Sequence, residues 1–170
     1  VWMRRPIKGT SVYAPNGKYV RYDGDDLGWV VERKIFDKWL AEKAVQAGAK
    51  VMARTEVVDI IKEDGIISGA VLRSQGEERE VKAKIIIAAD GVESKLSRIA
   101  GLNTTLKPTD ICAGYQYEMT GIEIDPDRIE LYFGNDVAPG GYVWIFPKGE
   151  TTANVGIGIR KPYAKKTAKE

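Results

Sequence analysis

After Thr105 the chain becomes four consecutive β-prone runs, and that succession constrains its fold more than any other feature. The runs are "DICAGYQYEMT", "DRIELYFG", "GYVWIFPKG" and "TANVGIGIR". Turn-rich stretches such as "IEIDPD" and "NDVAPGG" separate them. Runs of β-branched and aromatic residues bounded by Gly, Pro, Asp and Asn predict strands, and short connections predict antiparallel neighbours. In the third run Tyr142, Trp144 and Phe146 alternate with Val143 and Ile145, and Pro147 ends it. Successive side chains on a strand point to opposite faces, so the three rings share one face and the two aliphatics the other. Both faces are apolar, so the rings either fill a core or wall a channel for an apolar ligand.

The part before Thr105 has a different grammar. Two β-prone runs, "TSVYA" and "KYVRY", flank the turn Pro15-Asn16-Gly17, and "DGDDLG" reads as a loop. Residues 32–47, "ERKIFDKWLAEKAVQA", carry Ile35, Phe36, Trp39, Leu40, Ala44 and Ala47 at helical spacing, with Gly48 as the stop. Strands are expected in "AKVMAR" and "EVVDIIKEDG". Asp64-Gly65 then makes a hairpin turn into "IISGAVLRS", and "QGEERE" turns again into "EVKAKIIIAAD". The run 85–89 is apolar on both faces, as in a buried parallel strand, and "VESKLSRIAG" reads as a short helix. The expected fold is thus α/β or α+β, in two parts. Residues 1–104 form an α/β part with a β-meander, and residues 105–170 an antiparallel sheet.

Composition narrows the function classes. A hydrophobic content of 44% in 170 residues suits a packed core. A net charge of +2 gives no global attraction to nucleic acid. One cysteine, Cys112, excludes an internal disulfide, and the absence of histidine removes imidazole-activated nucleophiles and the usual zinc sites. No apolar run reaches the roughly 18 residues of a membrane span, and "VWMRRPIKG" lacks the apolar core of a secretory signal. A chain that starts without Met reads as a piece of something longer. The basic ending, "RKPYAKKTAKE", reads as a solvated tail, with a headgroup-binding patch as the sharper alternative.

Two stretches carry candidate chemistry. In "IIIAADGVESKLSRIAG" a buried strand would deliver Asp90-Gly91 to the carboxyl edge of a sheet, where α/β proteins place ligands, with Ser94 and Arg98 following. An ordinary capped strand-to-helix turn explains the same residues. Arg33, in the first turn of its helix, is a cation where the helix dipole disfavours one. Its partner is either an anionic ligand or a nearby carboxylate.

Taken in order, "ERKIFDKWLAEKAVQAGA", "AADGVESKLSRIAG" and "PGGYVWIFPKG" resemble the geranylgeranyl reductase family, FAD-dependent proteins of the p-hydroxybenzoate hydroxylase fold. The Asp-Gly stretch is the signature of the wider clan. The Tyr-x-Trp-x-Phe-Pro run resembles the narrower isoprenoid-binding motif of the archaeal digeranylgeranylglycerophospholipid reductases. The resemblance covers most of the chain, as the middle of such an enzyme. Its opening GxGxxG loop and its later Gly-Asp-Ala stretch, the two main FAD half-sites, do not occur here, nor does its cysteine motif. Arg98 follows Asp90 by eight positions, where the signature has seven.

The resemblance implies FAD as cofactor, touched by Arg33, by the backbone at Val57, and by Asp90 and Gly91. It implies that Tyr142, Trp144, Phe146 and Pro147 wall a lipid tunnel. It implies an oxidoreductase that saturates carbon–carbon double bonds of geranylgeranyl chains, in phospholipid biosynthesis, with these 170 residues inactive alone. The electron donor would be ferredoxin, a nicotinamide or a deazaflavin. The setting would be the cytoplasm, peripheral on the membrane where such substrates reside. No residue is singled out as catalytic; Tyr115, Tyr117 and Tyr142 are among those that could line a proton path. Two other readings stand beside this one: a flavin monooxygenase of the same clan acting on aromatic rings, and a non-catalytic module that binds apolar ligands.

Overall fold

A computed structural model describes residues 2–170, apart from the side chain of Asp26. It divides into two units, residues 1–43 with 106–170 and residues 44–105. The first unit is built on a six-stranded sheet of β1 (Met3–Tyr13), β2 (Tyr19–Val31), β6 (Cys112–Thr120), β7 (Arg128–Phe133), β8 (Tyr142–Pro147) and β9 (Thr152–Arg160). The order across the sheet is β2-β1-β7-β8-β9-β6. Every pairing is antiparallel except β1 with β7. The sequence grouped residues 1–104 together, whereas the structure builds β1 and β2 into the sheet of the C-terminal strands. The contact responsible is the parallel β1–β7 ladder, which joins Gly9–Tyr13 to Arg128–Tyr132.

The four C-terminal runs all form strands, as their alternation predicts. The N-terminal hairpin is longer than expected. The loop read in "DGDDLG" lies inside β2 as a bulge, because Ile7 faces Gly28 while Gly9 faces Asp23. Residues 24–27 are therefore extra backbone opposite Lys8, and the strand resumes beyond them. The basic ending is not a free tail either. Ala164 is buried against Ala138 and Ile159, with Val143, Ile157 and Ala168 around them. The segment after β9 thus covers the Val143 face of the sheet, and its lysines stay outside.

Helix α1 (Arg33–Gln46) follows β2 as predicted. Gly48, at φ +92°, ends it by donating its N–H to Val45. None of its residues is buried, although the spacing predicted a buried face. Its rings gather around Trp2, which lies 4.8 Å from Phe36 and 5.5 Å from Trp39.

The second unit is a meander of β3 (Glu56–Glu63), β4 (Ile66–Ser74) and β5 (Glu77–Lys82), in that order, with helix α2 (Lys95–Ala100). Asp64 and Gly65 both take positive φ, 52° and 80°, as a two-residue hairpin turn of this hand requires. Two expected strands do not form. Residues 49–54 and 85–89 join no strand ladder among the described residues, and Ile85 and Ile87 are 82% and 85% exposed. A strand is defined by its ladder, so an apolar extended run without a partner stays irregular. The helix expected over 92–101 is broken at Ser94 (φ 42°), with a 3₁₀ turn at Gly91–Glu93 before it and α2 after it.

Candidate functional site

Strand β8 carries its three rings side by side. The centroids of Tyr142 and Trp144 are 5.9 Å apart, and those of Trp144 and Phe146 are 6.0 Å apart. Phe133 of β7 extends the row sideways, 5.5 Å from Tyr142. Register places Leu131, Val12, Val20, Thr10 and Tyr22 on this same face, because paired residues of neighbouring strands point the same way. Val12, Val20, Tyr22, Phe133 and Tyr142 are all exposed. The C-terminal segment lies on the other face. The rings thus wall a broad apolar surface, and Pro147 at the end of the strand is fully buried.

Glycines make room for the largest ring. Trp144 pairs with Gly156 of β9, which pairs in turn with Gln116 of β6. A Cβ on Gly156 would sit 2.3 Å from Cζ2 and 2.5 Å from Cε2 of Trp144. A Cβ on Gly158 or Gly114 would touch the same indole at 3.6 Å. The indole therefore reaches across two strands over a bed without side chains. Its Nε1–H donates to Gln116 Oε1 at 2.9 Å, which fixes the direction of the ring. A large apolar residue is held flat by one polar tie.

The next position on this face is Lys148. Its side chain is 8% exposed, and its ammonium donates to Glu32 Oε2 at 2.7 Å and to Glu118 Oε2. Burial works against that charge, but the hydrogen bonds to Glu118 and Glu32 outweigh it and raise the Lys148 pKa. The bond from Lys148 leads the causes that hold Glu32 below the usual carboxylate range. Arg4 stands 4.0 Å from the same Glu32. Sequence reasoning missed Gly114, Gln116, Gly156, Gly158, Glu32, Glu118 and Lys148. The spacing Gly156-x-Gly158 inside a strand was the available signal, since glycine there marks a close approach. The ion network had none, because Glu32 lies 116 positions from Lys148.

The residues read as cofactor contacts are divided between the units: Arg33 lies in the first, and Val57, Asp90 and Gly91 in the second. Arg33 is 73% exposed and forks onto Asp37, one turn along α1, at 3.0 and 3.2 Å. That hydrogen-bonded carboxylate raises its pKa further and meets the need for a partner. Val57 is half-buried at the start of β3, opposite Leu72, where a bulge follows. Glu56 beside it pairs with Lys95 of α2 at 2.8 Å, which ties β3 to the helix after Asp90-Gly91. Asp90 Oδ2 accepts the N–H of Leu96 at 2.8 Å, so this carboxylate supplies a cap for α2. Gly91, at φ +72°, is exposed, and a Cβ there would meet nothing nearer than 3.9 Å.

These groups suit an FAD in kind: an exposed cation for a diphosphate, a carboxylate for a hydroxyl, and a glycine turn open to close approach. No glycine-rich phosphate loop for the pyrophosphate occurs in the 170 residues. Among the described residues no cluster of His, Cys, Asp and Glu could hold a metal ion.

The chain is similar to several known proteins. The model of the family described as FAD binding domain matches residues 27–133, and that of the geranylgeranyl reductase catalytic domain matches residues 110–170. The digeranylgeranylglycerophospholipid reductase of Methanosarcina acetivorans is 52% identical over 162 residues, covering 93% of this chain and 40% of that protein. Its namesake from Methanocaldococcus jannaschii is 51% identical over 161 residues, covering 94% and 41%. The crystal structure of a geranylgeranyl bacteriochlorophyll reductase-like protein from Thermoplasma acidophilum superposes with a TM-score of 0.91 at 40% identity, covering 97% of this chain and 43% of that one. A flavin-dependent brominase, 21% identical with a TM-score of 0.72, shares the fold. The chain spans about two fifths of the length of the curated relatives it matches.

Proposed function

We propose that this chain, which belongs to the FAD-binding domain family, supplies part of an FAD-dependent reductase of the geranylgeranyl reductase kind. That enzyme saturates carbon–carbon double bonds of geranylgeranyl chains in archaeal-type membrane lipids. The observation that carries the reading is the ring-lined face of β8. An isoprenoid chain offers no hydrogen-bonding handle along its length, so only area and shape can hold it. Burial is worth about 0.8 kcal/mol per CH₂. Stiff rings supply that area at little cost in side-chain entropy.

When bound, reduced FAD supplies the hydride equivalent for an alkene carbon. This chain's share is to bind and orient. Tyr142, Trp144 and Phe146 lay the hydrocarbon along one line, and Gln116 keeps the indole flat beneath it. The apolar face excludes water from the reacting bond. Arg33, the Val57 backbone, Asp90 and Gly91 would be the chain's contacts to FAD. The proton for the second alkene carbon comes from an acid or from water. A membrane-lipid substrate is what supports a setting in the cytoplasm, peripheral on the membrane. No helix among the described residues is long and apolar enough to cross one.

The test is to incubate the full-length protein with a geranylgeranyl glycerophospholipid and, in separate reactions, reduced ferredoxin, a nicotinamide or a reduced deazaflavin. Mass spectrometry should show two hydrogens gained per double bond with one of the donors. No gain with any of them would overturn the proposal, and hydroxylation of an added phenol would point to the monooxygenase reading.

A further inference from the structure

The ring row has two unlike ends. Beyond Tyr142 the face runs out to Arg160, which is exposed and has no carboxylate partner among the described residues. Beyond Phe146 it stops against charge. Lys148 takes the position where a fourth ring would stand, and its contact with Glu118 shows that it keeps to the row's face, since Glu118 pairs with Asn154 and Asn154 with Phe146. Glu32 reaches the same ammonium from the residue before α1, and Arg4 stands behind it. The next rung is polar as well, for the hydroxyls of Thr120 and Thr152 lie 3.1 Å apart.

We propose that Lys148, clamped by Glu32 and Glu118, is the end-stop of the apolar strip and sets how much isoprenoid chain the site accepts. The inference rests on the isoprenoid reading above and deepens it. A hydrocarbon tail advancing past Phe146 would have to displace an almost fully buried ammonium and turn two carboxylates toward an apolar group. That costs far more than the added methylenes return, because a buried charge stripped of its partner is strongly unfavourable. Glu32 comes from the sequence that opens α1, Glu118 from β6 and Lys148 from the β8–β9 hairpin. The stop is therefore anchored on three elements and does not swing aside as one flexible side chain would. Lys148 limits how far the chain enters, so its role is one of specificity.

The experiment compares the full-length holoenzyme with K148M, K148R and E118Q on lipids whose chains hold three, four or five isoprene units. Turnover is read as kcat/KM for each length. Binding of the saturated analogues is read separately by quenching of tryptophan fluorescence. The wild type should show a cut-off in length. K148M should raise the preference for the longest over the shortest chain by about tenfold or more, in both turnover and binding. K148R should keep the wild-type ratio. E118Q, at an exposed residue whose loss leaves the core intact, should move the ratio the same way by less, and it decides the matter if K148M does not fold. Rates and affinities that fall equally for all lengths in every variant would overturn the end-stop. A wild type that binds with a cut-off relaxed by K148M, yet reduces no chain, would overturn the reductase reading and leave the end-stop standing. A wild type that reduces and binds every length alike would do the reverse.

Discussion

Gly156→Ala is the sharpest test of how the ring row is built. The new Cβ would lie 2.3 and 2.5 Å from two atoms of the Trp144 indole and 2.8 Å from the carbonyl oxygen of Tyr115. Carbon atoms in contact sit at about 3.5–4 Å, so the indole must lift by roughly 1 Å or more. The Tyr115 carbonyl belongs to the β6–β9 ladder and gives way only if that ladder bends. Overpacking of this kind costs about 1–3 kcal/mol. Lifting the ring also strains or breaks its hydrogen bond to Gln116, which contributes about 1 kcal/mol. The expected loss is thus about 2–4 kcal/mol, or about 5–15 °C in Tm for a chain of this size. Gly158→Ala is the control. Its Cβ would meet Cys112 Sγ at 3.4 Å and the indole at 3.6 Å, both ordinary contacts, so the change should stay within about 0.5 kcal/mol. Urea denaturation followed by tryptophan fluorescence reads both. If the cost comes from the indole, Trp144→Phe should relieve it, and the double variant should show a coupling of about 1 kcal/mol or more. Equal costs for the two glycine variants, or a coupling of zero, would refute the glycine-bed account.

Two further outcomes follow from the charges. The Glu32 pKa is lowered by its bond from Lys148, so that contribution to stability is complete above the ordinary carboxylate pKa and disappears as pH falls through the lowered value. The Lys148 pKa is raised, so its contribution is complete below the ordinary lysine value and disappears as pH rises through the raised one. Between those limits the wild type should lie above K148M by a constant amount, and the gap should narrow at acid pH; urea midpoints across the acid range measure it, and a gap independent of acid would count against the network. Arg33→Ala removes an exposed i,i+4 pair and should leave the urea midpoint almost unchanged. If Arg33 also meets FAD through a charge-assisted hydrogen bond, the same change should weaken flavin binding in the full-length protein by about tenfold, and unchanged affinity in a flavin titration would remove that role.

What was legible in the sequence was local. Period-two alternation put Tyr142, Trp144 and Phe146 on one face, because the alternation is a property of any strand whatever its neighbours. Asp64-Gly65 announced its hairpin because both residues tolerate positive φ. What was hidden depends on partners distant in the chain. The β1–β7 ladder joins segments more than a hundred residues apart, so the first strands looked as though they belonged with the helix that follows them. The stretch 85–89 shows the same limit from the other side. Its apolar pattern records a capacity to be buried between neighbours, and a pattern can announce that capacity without supplying the ladder that realises it.

The candidate site combines both kinds of information, which explains why only half of it could be read in advance. The rings are a local pattern on one strand. What makes them a surface is the glycines two strands deep beneath Trp144 and the charge that closes the Phe146 end, and both reach the row only through register. Slip β9 by two residues against β8 and Trp144 would face Gly158 or Asn154 instead of Gly156. Asn154 would push the indole off the sheet, and Lys148 would lose its place opposite Glu118. A one-residue slip would be worse, turning Ile157 or Val155 into the ring face. The register that seats the indole is therefore the same register that seats the ammonium. A variant that shifts it should lose flat packing and chain-length selection together, whereas Gly156→Ala should disturb the first and K148M the second.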